Sequence, residues 1–307
     1  MSTAVQQQQQ QGTRILVTFD VDGTLVRSVG ANSAERNRWH HLAFAAGMKA
    51  VFDTDDADVT AIPHHGMTDM LIARDLAVHY GCPPEEVTDD KVAAVMKVMD
   101  KFGREHFEKF GEGLEILPGV ESLLKTLSEN YKDKVIVGLV TGNVESIGWA
   151  KMRALGIEQY FTTDPIRVGA FGGNDSPYRT ELVRMARSKA DSVFPDIVKL
   201  RNAHASIVVR WLHLNALSST RVASSSLRAS LSYEYQRSFT LRHFHVGDAP
   251  SDIEAAIDGG AFAIGVTTGT FTAEQLDSVQ QATSENHTVF QNLLDKESVL
   301  RLMGLHE

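Results

Sequence analysis

Two carboxylates, Asp20 and Asp22, directly follow an apolar run at residues 15–19 and precede Gly23. Along an extended segment, residues two apart start on the same side, so this pair can converge on one small volume. Carboxylates that close repel unless a cation lies between them or one keeps its proton. Hard oxygen donors of this kind suit Mg²⁺ and leave room for a phosphate. Taken alone, the pair also suits a turn. A second apolar run at 134–140 ends in Thr141-Gly142-Asn143. A hydroxyl, a glycine and a helix start at a strand end make a phosphate cradle, although a turn with an N-cap accounts for the tripeptide equally well. A third run at 241–246 ends in Gly247-Asp248-Ala249-Pro250-Ser251-Asp252. The spacing G-D-x-x-x-D sets one acid at the strand end and another a helical turn later on the same side, a natural metal seat. A capped helix explains Asp252 but not the combination.

Nearly unbroken apolar runs are the pattern of strands buried on both faces of a parallel sheet, and such sheets bind ligands at their carboxyl ends. The expected fold is therefore α/β, a Rossmann-like parallel sheet with helices on both faces. Residues 26–32 are short and Gly-containing, suited to a hinge or flap. Beyond them the pattern turns helical: Trp39, Leu42, Ala43, Ala46 and Met48 recur at helical spacing, as do Met70, Leu71, Ala73, Leu76 and Ala77. A further helix is expected over 92–110. This block reads as an inserted helical cap over the active-site end of the sheet. Within it, Thr68 or Asp69 is a candidate N-cap. The histidine pairs 40–41 and 64–65 lack the i, i+4 spacing and the Glu of a helical zinc site, and read as surface or cap residues. Pro118 is placed to start a helix to about Asn130, and Ser176-Pro177 to cap and open another. The division expected is a disordered Gln-rich tail at 1–13, a core at 14–27 and 116–307, and a cap at 28–115. The core carries an atypical insertion at about 197–240. That Ser/Arg/Leu-rich stretch lacks turn chemistry or a clear period, and reads either as a disordered insertion or as translated non-coding sequence.

The full string F-D-V-D-G-T-L at 19–25, with T-G-N and G-D-x-x-x-D in order behind it, resembles the motif set of the haloacid dehalogenase-like (HAD) hydrolases. The resemblance implies a nucleophile at Asp20, forming an aspartyl-phosphate, and an acid–base at Asp22. It further implies Mg²⁺ held by Asp20, the backbone carbonyl of Asp22, Asp248 and Asp252, the last directly or through water. Thr141 and the amides near Gly142 and Asn143 would bind the phosphoryl oxygens. The family pattern also calls for a cation, usually Lys. Residues 169–179, G-A-F-G-G-N-D…R, resemble a phosphoglycolate-phosphatase-like branch and point to Arg179, with Arg184 and Lys199 as fallbacks. In similar capped proteins a G-x-T-D loop, here at 66–69, lies near the substrate. The acid two residues after the nucleophile favours phosphate chemistry over carbon–halogen cleavage. The implied activity is a Mg²⁺-dependent phosphatase for a small phosphorylated metabolite, phosphoglycolate or a sugar phosphate. The alternatives are a phosphomutase of the same superfamily and a non-catalytic binding protein on the same fold.

The net charge of −9 over 307 residues argues against general nucleic-acid or anionic-membrane binding. It is no obstacle to a phosphate substrate, because a bound metal inverts the local sign. Cys82 is the single cysteine, which excludes an intramolecular disulfide and a Cys-based zinc site. No run has transmembrane length, and the N-terminus lacks the basic and apolar regions of a signal peptide. A cytoplasmic monomer or homodimer is expected.

Overall fold

The computed structural model describes residues 14–32, 35–164, 166–192 and 241–305. The Gln-rich tail and the whole of the 197–240 stretch, Lys199 included, lie outside them.

Strand β1 (Arg14–Phe19) sits near the centre of a six-stranded sheet. On one side it pairs in parallel with β4 (Val135–Thr141), which pairs with β5 (Gly169–Phe171). On the other it pairs with β6 (Leu241–Gly247), followed by β7 (Phe262–Val266) and β8 (His287–Phe290). The order β5-β4-β1-β6-β7-β8 is parallel throughout, the doubly wound arrangement expected. Alternation along β1 divides its side chains between two layers. Val17 and Phe19 pack with α4 (Val120–Asn130) and α9 (Lys296–Met303), while Leu16 meets Leu182, Val183 and Ala186 of helix α6, which starts at 179. Burying each large apolar side chain contributes about 1.5–3 kcal/mol, so strand register is firmly held.

That register places the motifs. Phe19 lies opposite Leu139 on one side and Val246 on the other. Asp20, Thr141 and Asp248 therefore leave three adjacent strands at the same level.

Between β1 and β4 the chain leaves the core through β2 (Val26–Ser28) and returns through β3 (Leu114–Ile116), which pair antiparallel. The two crossings are thus stitched together. The cap between them holds α1 (Arg38–Phe52), α2 (Asp69–His79) and α3 (Asp89–Glu105), around a core that includes Phe44, Met48, Leu76, Val95 and Met99. Helix α3 starts earlier than its apolar spacing implies, because Thr88 caps it by accepting from the Lys91 amide at 3.4 Å. It stops at Glu105, and 107–109 form a separate 3₁₀ turn.

Two other boundaries also shift. Helix α4 begins at Val120 rather than at Pro118, after Gly119 at φ 85. A side chain at Gly119 would collide with the Leu293 backbone, so the close approach and the positive φ both require glycine there. Ser176 accepts a hydrogen bond from the Tyr178 amide at 3.1 Å, making a turn rather than a cap, and α6 begins at Arg179. Helices α5 (Glu145–Ala154), α7 (Pro250–Asp258) and α8 (Ala273–Asp277) complete the layers.

Candidate active site

Asp20, Asp248 and Asp252 form one buried cluster, with a carboxylate oxygen of each within 4.8 Å of the others. Asp20 leaves β1 and its amide donates to the Val246 carbonyl at 2.9 Å, tying it to β6. Asp248 follows β6 and accepts from the Thr24 hydroxyl at 3.2 Å. Gly23 and Gly269 bring backbone against the Asp248 carboxylate, leaving no room for a Cβ at either position. Asp252, in the first turn of α7, accepts from the Ala249 amide at 3.0 Å.

Arg179 is the cation at this cluster. Its Nη1 lies 2.7 Å from Asp252 Oδ1 and 3.2 Å from Asp20 Oδ1, and the side chain is buried. Arg184 instead pairs with Glu181 and the Asp258 carbonyl on the surface, away from the site.

Burial raises the Asp20 carboxyl above the ordinary range; Arg179 opposes this, while Asp252 and Asp22 add to it. Asp248 is raised well above that range by burial and then by Asp252 and Asp20. Asp252 goes the other way, because Arg179, His245 and the Ala249 amide outweigh its burial. Acids raised by burial and mutual repulsion call for positive charge. Arg179 supplies part of it, but its Nε and Nη1 make no well-directed hydrogen bond, and neither does Asp252 Oδ1. Three hard oxygen donors from separate segments converging in one buried cluster fit a divalent cation such as Mg²⁺.

Asp22 stands apart from this cluster. Its carboxylate faces a cavity of about 780 Å³ between core and cap. Lys151 Nζ contacts both its oxygens, at 2.6 and 2.8 Å. Asn143 Nδ2 donates to Asp22 Oδ2 at 3.0 Å and Asn37 Nδ2 to Oδ1 at 3.3 Å. Burial in the cleft would raise this carboxyl, but Lys151 above all, with the hydrogen bond from Asn143, holds it below the ordinary range. The Asp22 side chain is thus committed to Lys151, Asn143 and Asn37 rather than to the cluster of Asp20, Asp248 and Asp252.

The T-G-N segment is more tied up than a free phosphate cradle. Asn143 serves Asp22, and its Nδ2 also donates to Thr141 Oγ1 at 2.7 Å. The Thr141 hydroxyl, near enough to Asp20 to favour its charged form, also accepts from the Asn143 amide at 3.4 Å. Gly142 is pressed against the cap, where a Cβ would lie 2.5 Å from the Met67 carbonyl oxygen. The cap loop 66–69 docks here: the Asp69 amide donates to the Gly142 carbonyl at 2.8 Å and the Val144 amide donates to Asp69 Oδ2 at 2.8 Å. Thr68 occupies the N-cap position, but its hydroxyl donates to the Pro177 carbonyl at 3.0 Å.

Sequence reasoning missed Lys151 and gave no role to His40, which lies in the cap and is buried there. The signal for Lys151 was available: Val144, Ile147, Gly148 and Lys151 fall at i, i+3, i+4 and i+7, so this lysine lies in an otherwise apolar stripe. It missed also a buried trio behind the site, in which Thr18 Oγ1 lies 2.8 Å from His243 Nε2 and 3.1 Å from His245 Nδ1.

The sequence profile of the haloacid dehalogenase-like hydrolases matches residues 16–187, more than half of the chain. The chain belongs to the haloacid dehalogenase-like hydrolase family. A second profile, HAD-hydrolase-like, matches 228–296, which leaves 188–227 uncovered between the two. No functionally curated protein matches significantly. Among solved structures, a hydrolase from Pseudomonas syringae is similar with TM-score 0.50 and 16% identity, over 95% of this chain and 99% of that one. A predicted phosphatase from Clostridium acetobutylicum has TM-score 0.50 and 14% identity, over 94% and 99%. A predicted phosphoglycolate phosphatase from Haemophilus somnus has TM-score 0.47 and 16% identity, over 95% and 98%. At these identities the first two speak for the fold alone. Among the described residues, no helix of this hydrolase is long and apolar enough to cross a membrane.

Proposed function

We propose that this hydrolase is a Mg²⁺-dependent phosphatase of the phosphoglycolate-phosphatase-like branch, acting on a small phosphorylated metabolite through an aspartyl-phosphate at Asp20. The observation that carries the reading is the convergence of Asp20, Asp248 and Asp252 with Arg179, while Asp22 faces the same cavity from a separate hydrogen-bonded mount. Asp20, Asp248, Asp252 and the backbone carbonyl of Asp22 would hold Mg²⁺. When bound, the ion offsets charge on the phosphoryl oxygens.

Asp20 Oδ attacks phosphorus as the bond to the leaving oxygen breaks, and Asp22 gives that oxygen its proton. Water then attacks phosphorus, Asp22 accepts its proton, and the bond to Asp20 breaks to release phosphate. Asp22 as held by Lys151 is in the base form that the second half-reaction uses; its proton exchanges with solvent through the cavity. Arg179 and the Thr141 hydroxyl, both beside Asp20, stabilise the phosphoryl oxygens, where most of the catalysis of phosphoryl transfer resides.

Residues of the cap, among them His41, Phe44, His64 and His65, line the far side of the cavity. At about 780 Å³ it has room for a sugar phosphate as well as for phosphoglycolate. The test is a phosphate-release screen over small phosphate esters, with and without Mg²⁺, using Asp20→Asn as control. Mg²⁺-dependent release, reduced by at least about 10³-fold in the variant, is expected. Equal release from both proteins rules out the nucleophile, and an isomeric phosphate ester in place of free phosphate replaces hydrolysis by a mutase reaction.

A further inference from the structure

We infer that Lys151 is a positioning residue for Asp22, and that the cap, through His40 and Asp69, completes its setting. The inference rests on the reading of Asp22 as the acid–base group.

Lys151 is fully buried on α5, a rare state for a lysine and a costly one unless every donor is met. Its ammonium has three N–H donors. One side meets the Asp22 carboxylate, at 2.6 and 2.8 Å. The others reach Asn143 Oδ1 at 2.9 Å and His40 Nδ1 at 3.2 Å. Among the described residues, the buried Arg179 and Lys151 thus divide the labour, with Arg179 at Asp20 and Asp252, and Lys151 at Asp22.

An ammonium can only donate, so His40 Nδ1 accepts and its proton sits on Nε2. Nε2 then donates to Asp69 Oδ2 at 3.1 Å, the same oxygen that accepts from the Val144 amide. The His40 ring is further held by stacking on Phe44, with centroids 5.2 Å apart. The chain of contacts therefore runs from core to cap and back: Asp22 and Lys151, His40 on α1, Asp69 on α2, then the backbone beside T-G-N. One of the three acceptors around the ammonium belongs to the cap. The docked cap therefore completes the mount that aims Asp22.

A buried ion pair that merely supports the fold predicts equal losses for every substrate. A mount for the acid predicts losses that grow with the leaving group's need for a proton. The experiment compares kcat/KM for glycerol 2-phosphate, whose alkoxide must be protonated to leave, and 2,4-dinitrophenyl phosphate, whose phenolate leaves as the anion. Both are measured with Mg²⁺ for the parent, Lys151→Met, His40→Phe and Asp22→Asn. Lys151→Met conserves length and apolar packing, and His40→Phe keeps the ring while removing both of its hydrogen bonds. The expected loss in Lys151→Met is about 10²-fold on the alkyl ester and under about fivefold on the dinitrophenyl ester, since general acid catalysis is worth about 10²–10⁴-fold. His40→Phe shows the same preference with a smaller amplitude. Equal losses on both esters in Lys151→Met, with discrimination intact in Asp22→Asn, overturn the inference and leave the acid–base reading standing. Equal losses in Asp22→Asn itself overturn that reading, and the inference with it. If Lys151→Met does not fold, His40→Phe decides: discrimination supports the mount, and equal losses reject it.

Discussion

Replacing Arg179 by Met leaves three buried carboxylates without their protein cation, and the consequence can be worked out from the site. Nη1 stands 2.7 Å from Asp252 and 3.2 Å from Asp20, with both acids inside the core. Removing one partner of a buried pair costs about 3–5 kcal/mol, because the other charge stays behind. At roughly 2–4 °C per kcal/mol, the metal-free variant melts on the order of 6–20 °C lower. The pH dependence follows from the direction in which burial and neighbouring charge move each acid. Asp20 and Asp248 have folded pKa values above the unfolded value of 3.8. Between those values the folded chain binds more protons than the unfolded one, so stability falls as pH rises through the window and levels off above it. Loss of Arg179 raises these folded values further and extends the window upward. The penalty is therefore larger at pH 8 than at pH 5, by about 1.4 kcal/mol for every tenfold gain in the acids' proton affinity. Urea unfolding in EDTA at both pH values measures it, and Mg²⁺ at 100 times its Kd returns about 2.7 kcal/mol at pH 8. A penalty below about 1 kcal/mol, the scale of an exposed pair, would refute the reasoning, as would one that is the same at both pH values.

Gly142→Ala sets a Cβ 2.5 Å from the Met67 carbonyl oxygen and 3.0 Å from Thr68 Cα, both backbone atoms of the docked cap loop. Thermal unfolding should show a loss of about 1–3 kcal/mol together with weaker turnover of whatever ester the protein hydrolyses; an unchanged melting temperature speaks against the tight docking. His41 has its pKa lowered to about 4 by burial and by the neighbouring His40 and His64. The unfolded chain, with its imidazole near 6.5, binds a proton that the folded chain refuses, so this residue's contribution to stability is lost as pH falls from about 6.5 towards 4. His41→Gln removes that penalty. Discounted for its partial exposure, the variant should gain roughly 1–2 kcal/mol on the parent between pH 7 and pH 4.5 in urea titrations, and parallel curves at the two pH values would sink the argument.

Local sequence determined the core strands, the placing of Asp20, Thr141 and Asp248 at their ends, and the helical insertion after β1. Each follows from apolar runs, their spacing and the residues that stop them. Family resemblance, rather than geometry, singled out Arg179, and the structure puts it beside Asp20 and Asp252. Helix starts at 120 and 179 were less legible, because a close backbone approach at Gly119 and a turn at Ser176 decide them. Only the tertiary structure decided which side chains meet across distant segments. Asn143 reads as a phosphate ligand in its tripeptide, yet the fold brings it to Asp22 and Lys151. His40 reads as an ordinary cap histidine until α1 closes over α5 and sets it between Lys151 and Asp69. A strand pattern reports which face is buried, because burial repeats with the backbone period. The partner of a buried polar group depends on where another element comes to rest, and no local period records that.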